Sequence, residues 1–155
     1  MRTNFSISLE KIISEFSLEI LNMPAEPEKI AVTTAEVNRP GLHMAGYFEF
    51  FDEKRIQIIG KSEESFILRF TPEKAESRLR EFFSHKPAAV IICRDLQVGE
   101  VYTRIAEEYG VPLLRTAEST SDFTAALIAF LNLSLAPRVT RHGVLVEVYG
   151  EGILL

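Results

Sequence analysis

Hydrophobic positions along the chain follow two rhythms. Behind Ser8, the residues Leu9, Ile12, Ile13 and Phe16 recur at helical spacing, which predicts a short opening helix over 8–16 with Ser8 as its cap. The stretches SLEIL (17–21) and KIAVTTAEV (29–37) alternate instead and predict two strands. Residues 38–51, NRPGLHMAGYFEFF, are dense in turn signals: Pro40 fixes its own φ, and Gly41 is free to take the positive φ of a type II turn. RIQIIG (55–60) is a strand that stops at Gly60. KSEESFILRF (61–70) is an amphipathic helix with Ser62 as a cap-like residue, and EKAESRLREFFSH (73–85) is another helix behind Pro72.

A regular alternation follows. PAAVIIC (87–93) is a continuous apolar run of the kind found in a strand covered on both faces. GEVYTRIAEEYG (99–110) is a helix closed by Gly110, VPLLRT (111–116) is a strand, and STSDFTAALIAFLNLSL (119–135) is a long helix capped near Ser119–Ser121. Strand, helix, strand and helix at short spacing predict parallel βαβ units with right-handed crossovers, and so an α/β fold with a mixed or parallel sheet flanked by helices. Pro137 interrupts the long helix within LSLAPRVTRH. After it Val144, Val146 and Val148 alternate, Gly150-Glu151-Gly152 turns, and Ile153 begins a second apolar strand. A hairpin of this kind calls for a continuation. The expected division is therefore an N-terminal α/β domain over 1–133, with a linker and the first hairpin of a second domain over 134–155.

Composition narrows the function classes. Hydrophobic residues make up 46% and charged residues 25% of the 155, which excludes a disordered chain and allows an ordinary core. A net charge of −5 argues against nucleic acid as a partner, because a basic face is its usual footprint. One cysteine, Cys93, excludes an intrachain disulfide and any CxxC metal site. The opening MRTNFSISLEKIISEF is too charged for a signal peptide, and the apolar runs fall short of the roughly 20 residues of a membrane span. A cytoplasmic protein with no membrane association is expected.

Candidate chemistry is sparse. Arg39, beside Gly41, could offer a bidentate fork to an anion. Arg94 after one apolar strand, and Arg115 with Thr116 after the next, stand where open parallel sheets bind ligands, outside the carboxyl ends of strands near a switch point in strand order. The hydroxyls of Ser119, Thr120 and Ser121 lead into a helix N-terminus there, which suits a phosphate or carboxylate. Cys93 reads as core, and His43 and His85 fit no metal-ligand spacing, so no metal site is expected in this chain. His142, before the last strand, could act as a proton carrier. No GxSxG, HExxH or complete Walker A motif occurs.

Four blocks in order, NRPGLHMAGYFEFF, RIQIIGKSEESFI, YGVPLLRTAEST and LAPRVTRHGVLVEVYGEGILL, resemble the N-terminal half of bacterial HPr kinase/phosphorylase. The resemblance implies an α/β domain similar to the N-terminal domain of Mur ligases. It also implies a separate C-terminal kinase domain whose Walker A loop takes ATP or pyrophosphate with Mg²⁺. The family enzyme phosphorylates a serine of the phosphocarrier HPr in the sugar phosphotransferase system, a route of carbon catabolite regulation, and removes the phosphate by phosphorolysis. The family assembles as a hexamer through the C-terminal domains. His142 matches the family's catalytic histidine, with Arg141 in place of a more usual small apolar residue and Glu147 in place of Asp. None of the phosphate-loop residues appears by Leu155, so the chain is read as a truncated form, with His142 catalytic only in the full-length enzyme and no cofactor of its own. The expected role is non-catalytic, regulatory or interaction. The alternative is a self-contained domain that binds a phosphorylated metabolite or nucleotide.

Overall fold

The computed structural model describes residues 5–137. The chain opens with β1 (Ile7–Ser8) and α1 (Leu9–Phe16), then β2 (Glu19–Asn22), a 3-10 turn (Pro27–Lys29), β3 (Ala31–Val32), β4 (Val37–Asn38) and the single-turn α2 (Gly41–Met44). It continues through β5 (Ile56–Ile59), α3 (Lys61–Leu68), α4 (Pro72–Ser84), β6 (Ala89–Ile92), α5 (Glu100–Tyr109), β7 (Leu113–Arg115) and α6 (Thr120–Leu135).

Five strands form one mixed sheet in the order β2-β7-β6-β5-β4, in which only β2 runs antiparallel. β1 and β3 pair separately in a two-stranded ladder. The α/β fold with a mixed sheet between helices is therefore as expected. The alternation of side chains explains both faces. Ile56, Ile58, Ala89, Ile91, Cys93 and Leu114 pack under α1 and α6, against Leu9, Ile12, Phe123, Leu127 and Leu131. Their neighbours Ile59, Val90, Ile92 and Leu113 point the other way, to Ile67, Leu79, Phe82, Phe83, Tyr102 and Ile105 of α3, α4 and α5. Each fully buried aliphatic or aromatic side chain here contributes on the order of 2 kcal/mol. A strand covered on both faces needs no polar positions, which is why 88–93 reads as an unbroken apolar run.

Local signals hold at the helix ends. Ser8 and Ser119 are N-caps whose hydroxyls accept from the N–H groups of Lys11 and Asp122 at 3.3 and 3.2 Å. Gly110 closes α5 in the left-handed region at φ 69°. Three readings differ. KIAVTTAEV is not one strand: the Thr34 hydroxyl accepts from the Glu36 N–H at 3.1 Å, and the chain bends there. Its halves then join different ladders, β3 with β1 and β4 with β5. Gly41 opens α2 instead of taking positive φ; the glycine that does so in this segment is Gly46, at φ 103°. Ser62 is not a cap, since α3 begins at Lys61 behind Gly60.

The helix α6 runs to Leu135, two residues past the division drawn at 133 on the sequence, and Ala136 leaves it in extended conformation. The hairpin over 139–155 and His142 lie outside the described residues. Among the described residues no helix is long and apolar enough to cross a membrane.

Candidate functional site at the carboxyl edge of the sheet

The carboxyl ends of β4 to β7 bring Arg39, Gly60, Cys93, Arg94, Arg115 and Thr116 to one edge of the domain. The parallel strands succeed one another without reversal, β4-β5-β6-β7, so no reversal of strand order marks a ligand crevice. The connections do part after β6 and β7, because α5 packs on one face and α6 on the other. That gap is laced by backbone. The N–H groups of Arg94, Asp95 and Thr116 donate to the carbonyls of Glu118, Thr116 and Ile92 at 2.9, 2.9 and 2.8 Å.

At the β4–β5 corner, Arg39 donates through Nε and Nη2 to the two oxygens of Glu63, at 3.0 and 2.8 Å. The Glu63 side chain is 6% exposed and that of Arg39 is 44% exposed. Glu63 also accepts the Gly60 N–H at 2.8 Å, the reach-back of an acidic third residue to the start of its helix. One carboxylate thus caps α3 and holds the end of β4. Beside it, Asn38 donates to the buried Gln57 side chain at 2.7 Å, which satisfies a polar group in the interior. Gly60 is crowded by its neighbours. A Cβ there would lie 3.1 Å from Arg39 Nη2 and 3.2 Å from Thr120 Cγ2, and nearer still to the Thr120 hydroxyl. Cys93 is buried against this corner. Desolvation pushes its thiol up to about 11, while the Thr120 hydroxyl and the charge of Arg39 pull the other way. A thiol held that high is neutral and unreactive.

At the β6–β7 corner, Arg115 donates from Nε and Nη2 to both oxygens of Glu19, each at 3.0 Å, and from Nη1 to the Leu96 carbonyl at 3.1 Å. It clamps β2 and the loop after β6 onto β7, with its side chain 14% exposed. The Thr116 hydroxyl accepts the Glu118 N–H at 3.2 Å. Arg94 and Asp95 stand in the left-handed region, at φ 61° and 51°, a conformation that costs about 1 kcal/mol or more per non-glycine residue. Among the described residues, Arg94 is the one of the three edge arginines with no carboxylate partner. The remaining described histidines are packed among aromatics. His43 Nδ1 is 2.9 Å from the Tyr47 carbonyl, and His85 stacks on Phe48 at 3.9 Å. Among the described residues there is no cluster of His, Cys, Asp and Glu that could hold a metal.

A sequence model described as "HPr Serine kinase N terminus" matches residues 7–131. The chain belongs to that family. It is 42% identical to the HPr kinase/phosphorylase of Caldicellulosiruptor bescii, across 97% of this chain and 49% of the relative. The HPr kinase/phosphorylase of Lachnoclostridium phytofermentans is 37% identical, over 97% of this chain and 49% of its own length. That of Streptococcus uberis is also 37% identical, over 97% and 48%. The chain spans about half the length of the curated relatives it matches, as their N-terminal domain. Among solved structures, the CBS and DRTGG domains of the regulatory region of a Clostridium perfringens pyrophosphatase, complexed with the activator diadenosine tetraphosphate, match with a TM-score of 0.56. That alignment covers 83% of this chain and 50% of the other, at 17% identity, and shows a shared fold.

Arg39, Arg94 and Arg115 lie at strand ends along this edge, and the carboxylates that hold Arg39 and Arg115 were not among the residues singled out on the sequence. Glu63 and Glu19 sit in ordinary polar positions of their elements, and only the fold brings them to Arg39 and Arg115.

Proposed function

We propose that this HPr kinase N-terminal domain is a non-catalytic regulatory or interaction module. The full-length enzyme would phosphorylate a serine of HPr, and remove that phosphate, with ATP or pyrophosphate and Mg²⁺ bound in the half that this chain does not span. The match of residues 7–131 to the N-terminal part of the family carries this reading, together with relatives about twice as long. The arrangement of the carboxyl edge supports it as well. Arg39 and Arg115 are held by carboxylates, and the crevice between β6 and β7 is closed by backbone hydrogen bonds. Such an edge is built for rigidity. His142 belongs in the reading as a residue of the kinase half, and the five-stranded mixed sheet is compatible with the expected kinship to Mur ligase N-terminal domains.

The test is phosphate transfer to HPr, with ATP and Mg²⁺, by three proteins: this chain, its fusion to the C-terminal half of the Caldicellulosiruptor relative, and that half preceded only by residues 138–155 of this chain, which keep His142. The fusion is expected to transfer phosphate and to lose transfer on His142→Ala. This chain is expected to be inactive, and the isolated half to differ from the fusion in rate or in its response to metabolites. Transfer by this chain alone would overturn the reading, as would identical behaviour of the fusion and the isolated half.

A further inference from the structure

Away from the carboxyl-edge arginines, a cavity of about 410 Å³ lies between α3, α4 and α5. Ile67, Phe70, Leu79 and Val101 form its apolar walls, and Glu64 and Tyr102 supply its polar side. The Tyr102 phenol is 1% exposed and donates to Glu64 Oε1 at 2.7 Å. Two further charged residues line the cavity, and they answer each other: Arg104 Nη2 lies 3.6 Å from Glu76 Oε1, and Glu76 also accepts from Arg80 at 2.9 Å. Among the described residues no Lys, Arg or His forms an ion pair with Glu64.

Glu64 is therefore a half-buried acid whose one hydrogen-bond donor is a neutral phenol. Burial raises its carboxyl above the ordinary 4.5, against the pull of the Tyr102 hydrogen bond. A partly desolvated carboxylate without a countercharge is costly, and a cation brought from outside would offset that cost. The apolar walls require that the cation carry an apolar body.

We propose that the cavity between α3, α4 and α5 binds a small organic amine, with its ammonium group on the Glu64 carboxylate and its hydrocarbon body against Ile67, Phe70, Leu79 and Val101. The volume lies within the range of roughly 300–1,000 Å³ usual for small-molecule sites. A carboxylic acid of the same shape would meet Glu64 as a like charge. A neutral alcohol would gain the walls without the ion pair.

The probe is 3-phenylpropylamine, titrated into the isotope-labelled full chain at about pH 8, where carboxyls are ionised. The shape-matched controls are 3-phenylpropanol and 3-phenylpropionate. Saturable amide shifts around Ile67, Ala75, Val98 and Val101 are expected for the amine. Binding of the alcohol should be about tenfold weaker or more, the size of one charge-assisted hydrogen bond, and the acid should not bind. Glu64→Gln keeps an acceptor for Tyr102 and should bring the amine down to the affinity of the alcohol. Ala75→Phe fills the cavity while leaving Glu64 and Tyr102 in place, and should abolish binding of both. Equal affinity for amine and alcohol would overturn the proposal, as would undiminished amine binding in Glu64→Gln or no saturable shift at tens of millimolar amine. If a variant does not fold, the comparison of the three probes on the parent chain still decides.

Discussion

Replacing Gly60 by alanine tests the packing of the carboxyl edge against a clear opposite expectation. Gly60 stands at φ −119°, extended backbone that alanine adopts without strain. In open surroundings Gly60→Ala would stabilise the domain by about 0.4–1 kcal/mol, through a less flexible unfolded chain. Here the new Cβ would overlap the Thr120 hydroxyl and stand 3.1 Å from Arg39 Nη2 and 3.2 Å from Thr120 Cγ2. Arg39 can yield, being long and half-exposed. Thr120 cannot, because it is a short buried side chain in the first turn of α6. Overpacking of this kind costs about 1–3 kcal/mol, so a net loss of about 1–2 kcal/mol is expected. For a chain of this size that is a fall in Tm of roughly 3–8 °C. The assay is urea and thermal unfolding of the parent, Gly60→Ala, Thr120→Ala and the double variant. Thr120→Ala removes both threonine atoms that the Cβ would meet, so the double variant should be more stable than the sum of the singles by about 1 kcal/mol or more. A Gly60→Ala protein as stable as the parent, or strict additivity in the cycle, would refute the reasoning.

Three further outcomes follow from the same contacts. Because burial lifts the Glu64 carboxyl above 4.5, the folded domain holds a proton that the unfolded chain has released, and stability from this group falls as pH rises from 4.5 to the folded value. Urea midpoints across roughly pH 4–8 should therefore move in favour of Glu64→Gln relative to the parent as pH rises, and a constant difference would contradict this. Arg115→Ala removes the clamp on Glu19 and Leu96, and should cost about 1–3 kcal/mol with faster amide exchange in β2 than in β6; uniform exchange would count against a local role. The Cys93 thiol, pushed up to about 11 and buried, should react with a disulfide reagent at neutral pH only as fast as the domain opens, so that labelling slows in step with any stabilising substitution.

What the sequence disclosed was local. Ser8, Ser119 and Gly110 act within one helical turn, and the apolar run before Cys93 needs only to know that both its faces are covered. The break in KIAVTTAEV was not legible, because alternation looks the same whether a strand continues or hands over from β1 to β5 as partner. The edge chemistry was half legible. Arg39 and Arg115 were found at strand ends, but their acids lie 24 and 96 positions away, and sequence spacing holds no record of such pairings. Glu64 was hidden for a similar reason. In a charged helical stretch it reads as a solvated residue, and only Tyr102, 38 positions on, reveals that it faces inward.

The antiparallel strand β2 has a bearing on how the domain is made. It leaves the ribosome well before its partner β7, so that Glu19 and Arg115 meet only after the segment between them has emerged. Closing a loop of 96 residues costs roughly 4 kcal/mol of chain entropy beyond the constant term. The β5-β6-β7 layer joins segments much nearer in the chain and can assemble while translation continues. Phe16 of α1 meanwhile waits for Phe123 and Phe130 of α6, its edge-on neighbours at 5.3 and 5.6 Å. The amino-terminal segment is thus the last piece fitted. During synthesis its apolar stripe is the surface for which a holding chaperone would compete.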